Sequence, residues 1–183
     1  MVCRLDLRRA LLAMLLLLWT VPIARAAQTE IPPPQGKGRV VVVISGQSGA
    51  ERYKAPAEQI AGFGYDVILL DGNDLEGSHG QALREAVQAA STSAHGLPGK
   101  VGVVGFSLGG QIAAILAGAD PRPVAVGVIA GRGTDVALYW IRRSHARLYF
   151  QAGTEDEVVP HAQLLALMHA APGTPKVTWY TIG

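Results

Sequence analysis

The sequence predicts an α/β domain built on a doubly wound, mostly parallel sheet. Three observations carry that prediction. The chain has 183 residues, of which 49% are hydrophobic and 16% charged, enough for one domain with a packed core and too apolar for a disordered chain. Short β-branched runs alternate along it with segments at helical spacing, the order expected of βαβ units. Its first run, RVVVVIS, is apolar at successive rather than alternate positions, as a strand buried on both faces must be.

The elements follow in order. Residues 1–9 are basic, residues 10–23 form a 14-residue apolar run, and Ala24-Arg25-Ala26 offers a small-x-small cleavage site. This three-part pattern predicts an export signal over residues 1–26 and a periplasmic or secreted product. The apolar run is short for a membrane span, so contact with a membrane is expected only through this segment if it stays uncleaved. Residues 27–38, rich in Pro and Gly and lacking periodicity, read as a leader. The domain proper is expected over residues 39–183. Within it, strands are predicted at 39–45, 65–70 (YDVILL), 100–105 (KVGVVG), 124–129, 147–152 (RLYFQA) and 176–182 (KVTWYTI). Helices are predicted at 55–61, 81–90, 108–118 and 161–170. Right-handed crossovers then place every strand C-terminus on one rim, where ligand chemistry in such folds sits.

Charge narrows the function. Beyond residue 26 the chain carries 12 basic and 13 acidic residues, without a Lys/Arg block. A phosphate-backbone binder needs a concentrated basic face, so no nucleic-acid partner is expected. Cys3, the only cysteine, lies in the signal segment. A disulfide, a thiolate nucleophile and a Cys metal site are therefore excluded from residues 27–183. No His/Asp/Glu cluster stands at metal-ligand spacing, and no cofactor motif is present, so no metal or cofactor is expected.

The rim carries the chemistry. Gly105-Phe106-Ser107-Leu108-Gly109 is G-x-S-x-G between a strand and a helix, the nucleophile-elbow arrangement. Ser107 must sit on a tight turn so that its hydroxyl projects above the sheet, and side chains at Gly105 and Gly109 would collide in that turn. The competing reading is a Gly-rich turn kept for close strand–helix packing. Ser45-Gly46-Gln47-Ser48-Gly49 follows the first strand. It lacks the Gly-Lys-Ser/Thr of a Walker loop and the spacing of a dinucleotide fingerprint, which leaves a close-approach loop or a plain turn. Glu155-Asp156-Glu157 follows the fifth strand. An acid there can orient a histidine, and Asp156 fits G-x-x-D-x-x-V-P.

In VVVVISGQSG, GYDVILLDGNDL, KVGVVGFSLGG and QAGTEDEVVP, in that order, the chain resembles the dienelactone hydrolase family of α/β-hydrolases. The resemblance spans most of residues 39–183. It implies Ser107 as nucleophile, Asp156 as triad acid, and the Gln47 and Leu108 amides as oxyanion donors, acting on a small-molecule ester or lactone. Dienelactone hydrolases proper use cysteine at the elbow, so Ser107 points to a serine-esterase type. The family's triad histidine and last helix follow the last strand, and the sequence as read stops at Gly183. The expectation is an α/β-hydrolase fold lacking its last helix, C-terminally incomplete. Of the five histidines, His79 on the correct rim is the least poor substitute. The alternative is a non-catalytic periplasmic binding domain with an incomplete triad.

Overall fold

The computed structural model describes residues 28–76 and 80–181. The expected export signal and His79 lie outside the described residues. Seven strands form one sheet: β1 (Gln28–Ile31), β2 (Gly38–Ile44), β3 (Asp66–Leu70), β4 (Gly96–Phe106), β5 (Pro123–Ile129), β6 (Arg147–Gly153) and β7 (Lys176–Tyr180). Their order is β1-β3-β2-β4-β5-β6-β7, and all neighbours are parallel except β1 with β3. Six α-helices are described: α1 (Lys54–Gly62), α2 (Gly72–Glu76), α3 (Gln81–Ala90), α4 (Leu108–Ala119), α5 (Asp135–Ile141) and α6 (His161–Ala170).

Strand β2 shows why the apolar run is continuous. Val40, Val42 and Ile44 join the larger core with α3, α4, α5 and α6, while Val41 and Val43 join a second core with α1. Val42, Val43 and Ile44 are wholly buried. Burial of each such side chain is worth about 1.5–3 kcal/mol, which fixes β2 at the centre of the sheet. Helix α4 is apolar nearly all round because it lies across β4 and β5 and is crossed by α5.

Three elements differ from the sequence reading. The stretch read as a structureless leader contains β1, whose Thr29 and Glu30 pair antiparallel with Leu69 and Ile68. Its four residues are too few to show a period, and it owes its existence to the free edge of β3 rather than to propensity. Helices α2 and α5, of five and seven residues, were also absent from the reading. The α5 start is marked by Thr134, whose hydroxyl accepts from the Ala137 amide at 3.4 Å. Strand β4 starts at Gly96 rather than at 100, because Gly96 and Leu97 pair with Gly38 and Arg39 before the register shifts.

Candidate active site

Ser107 stands alone between β4 and α4, with φ 53° and ψ −113°. That conformation is a glycine conformation, and serine adopts it only under constraint. The constraint is visible on both sides. The Ser107 amide donates to the Ile129 carbonyl at 2.8 Å, and the Ser107 carbonyl accepts from the Gln111 amide at 3.1 Å. The two glycines have steric causes. A Cβ on Gly105 would stand 2.0 Å from the Gly109 carbonyl oxygen, and one on Gly109 would stand 2.3 Å from that of Ile44. Only bare backbone lets the N-terminus of α4 settle this close to the ends of β2 and β4. Leu108, the residue after the serine, is buried at the first turn of α4.

The loop after β2 lies directly against the elbow. A Cβ on Gly46 would meet the Tyr53 hydroxyl at 2.5 Å and Ser107 Cβ at 3.1 Å, so Gly46 backbone fills the gap between them. Gln47 is exposed beside it. Its carbonyl accepts from Asn73 Nδ2 at 3.2 Å. Asp71 in turn accepts from the Ala50 amide at 2.9 Å through Oδ2, and from the Asn73 amide and side chain, each at 2.9 Å, through Oδ1. Ser45 Oγ accepts from the Gly72 amide at 3.0 Å. Partial burial would raise the Asp71 pKa, but these amides, the Asn73 side chain and the Ser45 side chain outweigh it and hold the carboxyl below its ordinary value. Residues 45–50 are thus pinned to the segment after β3. From the sequence alone Asp71 reads as a charge at the pocket mouth, while Asn73 and Tyr53 carry no signal. An acid directly after a β-strand was the available signal for Asp71. The Asn73 and Tyr53 contacts depend on how the loops fold together.

Asp156 follows β6 on the same rim. Its Oδ1 accepts from the Val158 and Val159 amides at 2.9 and 2.8 Å. Its second oxygen has no hydrogen bond among the described residues. Asp156 is half-buried, whereas Glu155 and Glu157 are exposed. Three of the four described histidines stand away from this rim. His95 and His145 precede β4 and β6, at the opposite strand ends, and His169 lies in the last turn of α6. His161 opens α6 and meets Trp179 edge-on at 6.3 Å between ring centres.

A groove of about 1300 Å³ lies away from Ser107. It runs over the α1 side of the sheet toward the strand N-termini, past Val41, Leu97, Ala125, Tyr149 and Lys176. It carries none of the elbow residues, so its size says nothing about the chemistry.

A strand–Ser–helix elbow on a mostly parallel sheet, with a Gly loop pressed against the serine, defines the α/β-hydrolase class. Solved structures share the fold. Est1E from Butyrivibrio proteoclasticus matches with TM-score 0.69 at 13% identity over 84% of this chain and 83% of that one. The esterase domain of a Rhodothermus marinus protein matches with TM-score 0.70 at 17% identity over 84% and 81%. The Pyrococcus horikoshii acylaminoacyl peptidase matches with TM-score 0.69 at 14% identity over 85% of this chain and 34% of that one. No curated protein matches the sequence. The dienelactone hydrolase family model matches residues 73–181, and the chain belongs to that family, a family of ester-type hydrolases.

Proposed function

We propose that the protein is an exported serine hydrolase of carboxylic esters or lactones, working through an acyl-enzyme. The observation that carries this is the strained Ser107, at φ 53° on the elbow, with the Gly46 backbone packed against its Cβ. Strain of this kind is kept where a side chain must project from a fixed point. Ser107 Oγ attacks the acyl carbon. The Gln47 and Leu108 amides receive the oxyanion, helped by the N-terminal end of α4. The Asp71–Asn73 clamp holds the Gln47 segment in place before substrate arrives. Asp156, tethered through one oxygen, turns its other oxygen to a histidine that takes the Ser107 proton and returns it to the leaving group. That histidine comes from outside the described residues, either from His79 or from chain following β7 as in the family pattern. Residues 1–26 deliver the enzyme to the periplasm or beyond. A basic start, an apolar run and Ala-Arg-Ala support this export.

Full-length protein is expected to hydrolyse a p-nitrophenyl ester and to be labelled at Ser107 by a fluorophosphonate. Ser107→Ala should abolish the label and lower kcat by about 10³-fold or more. Undiminished turnover in Ser107→Ala overturns the assignment. Ligand binding without turnover or labelling would favour a non-catalytic binding domain, a reading motivated by the lack of a hydrogen bond from Asp156 or Ser107 to a histidine among the described residues.

A further inference from the structure

At the other end of the sheet, Asp66 opens β3 with its side chain wholly buried, and neither carboxylate oxygen has a hydrogen-bond partner among the described residues. A bare buried carboxylate is costly, and a protein keeps one where a cation compensates it. Two further ligand-type side chains converge on it. Glu30 of β1, Asp66 and His95 each bring one donor atom, and all three lie within 4.8 Å of one another. These residues come from three separate segments, brought together by the pairing of β1 with β3 and of β2 with β3 and β4.

The surroundings are arranged around the trio. Ser93 Oγ donates to Glu30 Oε1 at 3.1 Å and accepts from the His95 amide at 3.2 Å, which orients both side chains. A Cβ on Gly96 would clash with Val40 Cγ2 at 2.5 Å and stand 3.3 Å from Asp66 Oδ2, so only bare backbone lies beside the carboxylate there. Asp66 is buried, while the His95 and Glu30 side chains are 52% and 41% exposed, leaving a path from solvent. His95 Nδ1 and Glu30 Oε1 are 2.6 Å apart.

We propose that Glu30, Asp66 and His95 form a Zn²⁺ site that ties edge strand β1 to the body of the sheet. One imidazole nitrogen and two carboxylate oxygens suit zinc, with water as fourth ligand, and the nitrogen disfavours Mg²⁺ and Ca²⁺. Zinc bonds of about 2.0–2.1 Å require the ligands to draw together, which the two exposed side chains do by rotating. On binding, the ion replaces the His95–Glu30 hydrogen bond, and the proton shared by that pair leaves to solvent. The site lies at the far end of the eleven-residue strand β4 from Ser107, so it is structural rather than catalytic.

The test uses full-length protein stripped with EDTA and titrated calorimetrically with Zn²⁺ and, separately, Mg²⁺. One Zn²⁺ per chain and a raised Tm are expected, with no comparable Mg²⁺ uptake. His95→Ala and Glu30→Gln, both exposed and tolerable to the fold, should each weaken zinc at least tenfold while ester hydrolysis at saturating substrate is unchanged. Absence of stoichiometric zinc binding, equal Mg²⁺ binding, or undiminished affinity in His95→Ala overturns the proposal.

Discussion

At the scale of single residues, the elbow trades stability for position. Ser107 holds φ 53° and ψ −113°, where an L side chain costs about 1–3 kcal/mol and glycine costs far less. Ser107→Gly is therefore expected to raise unfolding stability by about 1 kcal/mol in chemical denaturation while removing hydrolysis altogether. A variant less stable than the parent would show that the serine is relaxed where it stands. The same rim holds a second strained residue, Ala130 at φ 47°, whose amide donates to the Gln151 carbonyl at 2.7 Å. The elbow was legible in the sequence because Gly105 and Gly109 flank Ser107 at fixed spacing and Gly105 meets Gly109 across one turn, although Gly109's own clash is with Ile44 of β2. Asp156 was legible as an acid at a strand end. The Asp71–Ala50 and Asn73–Gln47 bonds join residues 21 and 26 positions apart, and the Glu30–His95 contact joins residues 65 apart. Nothing in the local pattern marks those partners, so only the folded chain reveals them.

At the scale of elements, the sheet centre was readable and its margins were not. Strands β2 and β3 announce themselves because burial on both faces demands unbroken apolar runs, whereas β5 reads as a strand from its valines although Val124 and Ala125 are exposed. Helix α3 matched its predicted limits because its apolar positions recur at helical spacing, and α6 matched without such a period. The short elements β1, α2 and α5 contain too few residues to establish a period, and tertiary pairing creates them. Helix α5 nonetheless imposes a strict condition on its neighbour. A Cβ on Gly118 of α4 would fall 1.8 Å from the Trp140 carbonyl oxygen of α5. Backbone on backbone leaves no rotamer escape, so the helices must separate to admit a methyl group. Gly118→Ala is expected to lose about 2–3 kcal/mol of stability, read as a lowered denaturation midpoint, although alanine is the better helix former. An unchanged midpoint would mean that the crossing of α4 and α5 is loose.

At the scale of the whole molecule, charge and exposed surface set how the protein behaves in solution. Three carboxyls in separate parts of the chain are held below their ordinary pKa: Glu30 by its hydrogen bond to His95, Asp120 by that to Arg122, and Asp71 by the amides that outweigh its burial. Depressed folded-state values mean that their contribution is complete above the unfolded pKa and is lost as pH falls through the folded one. Denaturation midpoints are expected to be level between about pH 5 and 7 and to drop below about pH 4, with a shallower drop in Asp120→Asn. An equal drop in that variant removes Asp120 from the account. The surface argument concerns the side of the sheet that α1 leaves bare. The pairing register places Val104, Ala125, Tyr149 and Thr178 on the α1 face of β4–β7, and Ala125 is exposed there. Beyond them β7 ends the sheet, with Trp179 and Tyr180 37% and 48% exposed. An open apolar face beside an unpaired edge invites pairing with other chains. The 183-residue chain expressed by itself is therefore expected to bind an apolar dye such as ANS and to self-associate in sedimentation. Ala125→Glu, which sets a charge in that face and touches no part of the elbow, should reduce both. A dye-silent parent that sediments as a monomer would mean that the face is covered, and the surface argument would fail with it.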